Sequence, residues 1–304
     1  MKAVRIHSKG GHEGLVHEDA PTPTPATGDV LVEVRAASFV PDELDWGSTW
    51  TDRAGRDRTP SVPAHEVAGV VSEVPVGTSG FAVNDRVFGL TDWHRDGAAA
   101  EFVAVEARSL ARMPESLDFT QAAALPLIGL TAWQGLFDHG GLTAGQTVVV
   151  HGAGGGTGSI VVQLAAHAGA RVIATGRGKA ADLARQLGAD TFVDLEKERI
   201  EDAVGQVDLV FDTIGGDLLA RSAGIVRPGG VLVSIYEPPP VVPEGGRAAF
   251  FVVEPNREQL VQLAELADTA GLRPHVGAVY PLADTAEAFA AKQRGIPGKV
   301  VLQA

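Results

Sequence analysis

The chain has 304 residues, 45% of them hydrophobic, enough to build two cores of ordinary size. Lys and Arg number 25 against 38 Asp and Glu, a formal charge of −13 that disfavours nucleic acid or an anionic membrane as a partner. With no cysteine, disulfides, thiolate nucleophiles, iron–sulfur clusters and cysteine-bound zinc are excluded, and no apolar run reaches the ~20 residues of a membrane span, so a cytoplasmic location is the default expectation.

The first part of the chain reads as β-rich. Lys2–His7 and Val30–Ala37 have strand character, and the Pro21–Pro25 stretch between them is extended loop. Val67–Val76 and Ala100–Val105 continue the pattern, broken by Gly77, Gly80, Asn84 and Asp85, and a compact barrel is the simplest result. From Thr120 the run TQAAALPLIGLTAWQGLFDHG is rich in Ala and Leu and reads as helix, with Pro126 forcing a break or kink. That change of texture predicts a boundary, with residues 1–121 and 254–304 in one domain and 122–253 in a second.

Residues 147–168, TVVVHGAGGGTGSIVVQLAAHA, pass from an apolar β-branched run through a glycine-rich turn into an apolar helix. This is the shape of a dinucleotide site. Without a Cβ, Gly155 lets backbone approach a pyrophosphate, Gly158 lets the helix pack close on the strand, and the first helical amides face the phosphates. Ala153, Gly155, Gly156, Thr157 and Gly158 are the candidates; the alternative is a tight strand-to-helix connection without a ligand.

Arg171–Thr175 reads as a second buried strand, followed by a helix through Leu187 that stops at Gly188. A site for the unphosphorylated cofactor usually puts Asp or Glu at the end of this strand, on the ribose. Here the segment is Thr175-Gly176-Arg177-Gly178-Lys179. A carboxylate would repel a 2′-phosphate, whereas guanidinium and ammonium groups bind one, so Thr175, Gly176, Arg177 and Lys179 point to NADPH. The alternative is a pair of solvated charges at the start of a surface helix.

Strands at Thr191–Asp194, Asp208–Asp212 and Val231–Ile235 then alternate with helical segments, the pattern of a doubly wound parallel sheet. Ligands of such sheets lie beyond the carboxyl ends of the strands, so Thr175, Thr213–Gly216 and Ser234–Glu237 are expected along one crevice. Gly229-Gly230, after Pro228, reads as ordinary turn chemistry. A sixth strand, Ala248–Val253, follows the surface loop EPPPVVPEGG. The tail from Arg257 holds two helical stretches and two short strands and is expected to pack back onto the β-rich first part. The nine histidines show no tight ligand spacing and no Gly-x-Ser-x-Gly elbow is present, so no metal site and no hydrolytic nucleophile is predicted.

In order along the chain, VPAHEVAGVV (62–71), NDRVFGL (84–90), AAALPLIGLTAW (122–133), HGAGGGTGSIVVQLA (151–165), LGAD (187–190), FDTIGG (211–216), RPGGVLVSI (227–235) and GKVVL (298–302) resemble the zinc-independent quinone oxidoreductase branch of the medium-chain dehydrogenase/reductase superfamily. The resemblance implies an α/β architecture: a GroES-like β-barrel catalytic domain plus a Rossmann doubly wound parallel sheet. It implies an NADPH-dependent reductase of quinones or α,β-unsaturated carbonyls, the alternatives being a non-catalytic NADPH-binding protein or a zinc alcohol dehydrogenase.

Carried onto this chain, the family's glycine turn falls on Ala153, Gly155 and Gly158, and Thr131 matches the threonine that borders the nicotinamide. Thr213 and Ile214, then Ser234, Ile235 and Tyr236, match segments that cover the cofactor, and Lys299 sits in the C-terminal Gly-Lys motif. The family often forms homodimers by joining sheets edge to edge, and Ala248–Val253 is the edge candidate here. His65-Glu66 is read as a retained structural pair. Val40 appears where relatives often have asparagine, and Leu195 where many have tyrosine. As donors for the oxyanion of a reduced substrate, the candidates are the Ser38 hydroxyl and the Trp46 indole N–H. Asp42, Glu43 and Asp45 could relay protons, although a charge cluster in a loop is usually just solvated. Trp46, Trp50, Trp93 and Phe251 are candidates to wall an apolar pocket, Phe251 also to contact the cofactor, although core packing explains aromatics equally well.

Overall fold

The computed structural model describes residues 1–304. The chain opens with β1 (Lys2–Ile6), β2 (Leu15–Asp19), β3 (Asp29–Ser38), α1 (Gly47–Trp50), β4 (Glu66–Glu73), β5 (Arg86–Leu90), β6 (Phe102–Glu106) and β7 (Leu110–Arg112). Helices α2 (Phe119–Ala124) and α3 (Pro126–Trp133) lead into β8 (Thr147–His151), α4 (Gly156–His167), β9 (Arg171–Gly176), α5 (Ala181–Gln186) and β10 (Thr191–Asp194). Then follow α6 (Ile200–Ala203), β11 (Val207–Asp212), α7 (Gly216–Ser222), β12 (Val226–Ser234) and β13 (Arg247–Phe250). The tail supplies α8 (Arg257–Thr269), β14 (Val276–Pro281), α9 (Thr285–Gln293) and β15 (Lys299–Gln303). Two compact units result, Met1–Leu127 with Pro255–Ala304, and Ile128–Glu254.

In the first unit β3 is long because it serves several partners. Its first half pairs with β6, Leu31–Ser38 pair with β4, and Ala36–Ser38 also pair with β15. The sheet runs β14-β15-β3-β4-β5-β7, with β1 and β2 in a separate antiparallel pair. Val30, Val32, Val34, Val67, Val71, Val87 and Val103 fill its core, and Phe39 stacks on Phe289 of the tail with ring centroids 3.8 Å apart. Strand β4 stops at Glu73, ahead of Pro75, and Val76 is fully in solvent. The short strands β2, β5 and β7 are not among the elements read from the sequence.

The second unit is one six-stranded parallel sheet of order β10-β9-β8-β11-β12-β13. The order reverses between β8 and β11, which leaves a crevice beyond the carboxyl ends of those strands. Val148, Val149 and Val150 are wholly buried, as a central strand covered on both faces requires. Helix α5 ends as expected before Gly188, whose φ of +107° suits only glycine. Two readings are corrected. Gly229 and Gly230 lie within β12 at a register shift, and a Cβ on Gly230 would stand 2.7 Å from the Asp208 carbonyl. β13 closes at Phe250, so Phe251–Val253 leave the sheet.

Candidate active site

At the end of β8 the chain turns at Gly152, with φ +77°, and the amides of Gly152 and Ala153 both donate to the Thr175 carbonyl at 3.1 Å. A Cβ on Gly152 would lie 2.3 Å from Thr213 Oγ1, and one on Gly154 2.7 Å from Ala180 Cβ. On Gly158 it would lie 2.2 Å from the Gly152 carbonyl oxygen. On Gly155 it would meet a single atom, the Gly152 oxygen at 3.2 Å, and otherwise open space. Close packing therefore requires Gly152, Gly154 and Gly158, while Gly155 keeps a surface bare. The first-turn amides of α4, at Gly156, Thr157 and Gly158, have no acceptor within the helix, and no side chain caps it. Those amides and the positive end of a twelve-residue helix make an anion cradle at the edge of the central strand.

The cradle is braced from beneath. The His151 ring is within 2.8 Å of both Thr175 Oγ1 and Ser222 Oγ, and Thr213 Oγ1 donates to the His151 carbonyl at 2.9 Å. Burial, reinforced by the Arg221 charge, lowers the His151 pKa to about 3, so the imidazole is neutral. Beside it, Asp212 accepts from the Gly215 amide at 2.9 Å and the Ser234 hydroxyl at 3.2 Å, and burial raises its carboxyl above the usual range.

Past β9, Arg177 and Lys179 stand exposed without an ion pair, on a short 3₁₀ turn whose Ala180 packs against Gly154 of the cradle. The end of β9 bears no carboxylate. The nearest one, Asp194 at the end of β10, is tied to Lys197 at 2.9 Å, a contact that holds its carboxyl below the usual range.

Ala153, Gly155, Gly156, Thr157, Gly158, Thr175, Gly176, Arg177, Lys179, Thr213, Ile214, Ser234, Ile235 and Tyr236 thus share the carboxyl edge of one sheet. Ile214 and Tyr236 are exposed there. Thr175 and Ser234 are fully buried with their hydroxyls engaged, so each can offer only main chain. Thr131 is buried on α3. Phe251 lies against the His139 ring, centroids 4.4 Å apart, and serves as packing. Lys299 is in the other unit: its ammonium donates to the Phe39 carbonyl at 3.0 Å and pairs with Glu66, and no charge is left for a cofactor phosphate. Gly152, Gly154 and His151 belong to the cradle and were not singled out from the sequence.

The first unit holds a buried polar cluster. Ser38 donates to the Val300 carbonyl at 3.0 Å and is wholly buried, which removes it as a donor to substrate. Trp50 donates to the Leu44 carbonyl at 2.9 Å in the core. Trp46, half-buried, meets Trp93 edge-on at 5.3 Å, and Trp93 meets His65 at 5.1 Å. Glu43 departs from the solvated reading it shares with Asp42 and Asp45. Asp42 and Asp45 are exposed, but Glu43 is 1% exposed, and burial raises its carboxyl to about 8. Its Oε1 lies 3.7 Å from His65 Nε2. His65 Nδ1 is 2.6 Å from Thr91 Oγ1, and burial lowers the ring to about 3. Glu66 accepts from the Leu127 amide at 3.1 Å.

A parallel-sheet crevice with a glycine cradle, in a chain that also carries a unit built on a barrel-type sheet, is the construction of a pyridine-nucleotide oxidoreductase. Residues 26–115 match the alcohol dehydrogenase GroES-like domain family, and residues 187–302 the zinc-binding dehydrogenase family. The chain is 33% identical to the NADPH-dependent alkenal/one oxidoreductase of Arabidopsis thaliana chloroplasts over 99% of its own length and 79% of the relative's. Its fold is similar to that of the quinone oxidoreductase from Coxiella burnetii (TM-score 0.90, 27% identity, 100% and 99% of the two chains). It is also similar to a mycobacterial protein complexed with NADPH (TM-score 0.84, 28% identity, 100% of both chains). The chain belongs to the medium-chain dehydrogenase/reductase superfamily, in its quinone oxidoreductase branch. No helix is long and apolar enough to cross a membrane.

The zinc in one of those family names does not fit the residues present. The chain has no cysteine, and no three His, Asp or Glu side chains gather as ligands. His65 Nδ1 is engaged by Thr91, and Glu66 by Lys299 and the Leu127 amide.

Proposed function

We propose that the protein is an NADPH-dependent reductase of quinones or α,β-unsaturated carbonyls that works without a metal. The observation that carries the cofactor choice is the pair Arg177 and Lys179, exposed and unpaired on the turn that packs against the cradle. In a chain of charge −13, two free cations and no carboxylate at the end of β9 favour a 2′-phosphate over a bare ribose. The amides of Gly156, Thr157 and Gly158 would hold the diphosphate, with Gly155 allowing close approach. Bound there, the reduced nicotinamide supplies hydride to an electron-poor carbon.

Negative charge then develops on the conjugated oxygen of the acceptor and needs a donor. With Ser38 engaged elsewhere, the Trp46 indole N–H is the candidate, and solvent completes the protonation. The printed activities of the Arabidopsis and Coxiella relatives support this class of acceptor. The half-exposed edge strand β13, with Phe250 in solvent, supports a homodimer joined through that edge.

The test is a pair of affinities. Arg177→Ala is expected to weaken NADPH binding about tenfold or more, one to two charge-assisted hydrogen bonds, and to leave NADH binding unchanged. Equal losses for the two nucleotides would refute the phosphate assignment.

A further inference from the structure

Between β3 and β4 the chain makes an excursion from Phe39 to His65, and one side chain closes it. Glu43 accepts from the Val40 amide at 3.5 Å and from the Ala64 amide at 2.5 Å, where the excursion leaves the sheet and where it returns. The Glu43 carbonyl accepts from Thr49 Oγ1 at 2.6 Å, and the Thr49 carbonyl accepts from Ser61 Oγ at 2.7 Å, so the same residue is tied into the middle of the excursion. Ala64 has φ +68°, a conformation rare for a residue with a side chain, and is held by its amide on Glu43 and by its carbonyl, which accepts from Ala98 at 2.5 Å. Trp46 rides on this excursion and rests on Trp93. The Trp93 carbonyl is fixed by Arg58 at 3.1 Å, and Arg58 also belongs to the excursion.

We propose that Glu43 is the positioning residue of the Trp46 wall: its buried carboxyl clasps both ends of the 39–65 excursion and so fixes Trp46 against Trp93. Glu43 acts in its neutral form. The charged groups facing it are Glu66 on β4 and Lys299 on β15, already paired with each other, and His65 is kept neutral by burial, with Arg58, Asp92 and His94 around it. No cation is left over to pair with an ionised Glu43, in keeping with its raised pKa of about 8. Two acceptor oxygens on two amides need no charge, so a glutamine can replace them in part.

The experiment compares acrylamide quenching of tryptophan fluorescence in the wild type, Glu43→Gln and Glu43→Ala, each with and without Trp46→Phe to isolate the Trp46 signal. Glu43→Ala is expected to raise Trp46 quenching severalfold and to raise KM for a quinone about tenfold with little change in kcat, while NADPH affinity holds. Glu43→Gln, which keeps one acceptor oxygen for the Ala64 amide, is expected to fall between wild type and Glu43→Ala at pH 7. If Glu43→Ala does not fold, the wild type itself decides. Its Trp46 quenching should rise between pH 7 and 9 as the clasp ionises, and Glu43→Gln should not follow. Lys292, lowered to about 8 by burial, titrates in the same window, and the glutamine variant separates the two. Unchanged Trp46 quenching in a folded Glu43→Ala, or an alkaline rise that persists in Glu43→Gln, overturns the proposal. The kinetic arm rests on the reading of Trp46 as substrate wall. The quenching arm does not, so failure of that reading and failure of the clasp are told apart.

Discussion

Two glycines of the cradle, three residues apart, should fail in opposite ways. A methyl on Gly158 would stand 2.2 Å from the Gly152 oxygen, 2.7 Å from the Gly152 carbonyl carbon and 3.0 Å from Ala153 Cα. All three are backbone atoms, so no side chain can yield, and α4 must shift off the end of β8 by about 1 Å to restore ordinary contact near 3.5 Å. Overpacking of this kind costs about 1–3 kcal/mol, of which up to about 1 kcal/mol returns through the better helix propensity of alanine. A net loss of about 1–2 kcal/mol is expected for Gly158→Ala, a melting point lower by roughly 2–8 °C at this size, together with weaker nucleotide binding as the amides move. At Gly155, φ is −82° and ψ 171°, values any residue adopts, and the added methyl meets one atom at 3.2 Å. Gly155→Ala should therefore keep its stability within about 0.5 kcal/mol, yet cover the surface that a pyrophosphate approaches and lose NADPH affinity by about tenfold or more. Thermal unfolding without ligand and NADPH titration by fluorescence give the two measurements for each variant. A Gly155→Ala protein that binds NADPH normally would refute the cradle, and a Gly158→Ala protein as stable as wild type would refute the packing argument.

His151 gives a pH signature. Its pKa falls from 6.5 in the unfolded chain to about 3 in the fold, so the native state stays neutral while the unfolded state takes up a proton below 6.5. The stability it contributes is complete above 6.5 and is lost as pH falls toward 3, by about 1.4 kcal/mol per pH unit. The wild-type advantage over His151→Gln in urea unfolding should shrink at that rate below pH 6.5; a constant gap would show that the ring is not held neutral. At the edge of the second unit's sheet, Phe250→Lys places a charge on β13. It should convert a dimer to monomer in analytical ultracentrifugation, and a dimer indifferent to the change would place the interface elsewhere.

The glycine cradle and the polar cluster of the first unit differ in how far the sequence foretells them, and the reason is contact distance along the chain. The cradle is local. β8, the glycine turn and α4 are consecutive, and period, glycine spacing and the residues after β9 all lie within some thirty positions, so Ala153–Gly158 and Arg177 with Lys179 were legible as one constellation. The spacing also separates Gly155, which faces open space, from Gly158, which faces backbone; what it does not show is that Gly152 and Gly154 are glycines for packing, because that depends on Thr213 and Ala180, contributed by other strands and turns.

In the first unit the polar cluster joins Ser38, Glu43, His65, Glu66, Thr91 and Lys299, six residues from five segments separated by up to 261 positions. Nothing in the neighbours of Glu43 marks it as buried, since Asp42 and Asp45 beside it are in solvent. Its burial follows from the amides of Val40 and Ala64, groups that every sequence supplies and that only the closed excursion brings to one carboxyl. Lys299 was misassigned for the same reason. The family's C-terminal Gly-Lys motif does not show where the lysine ends up: β15 pairs with β3, and that pairing delivers the ammonium to Glu66 on the next strand. Burial pushes the Glu66 carboxyl up and Lys299 pulls it back down, so without the pairing of β15 with β3 a charge on Glu66 would be buried unpaired, at a cost of several kcal/mol.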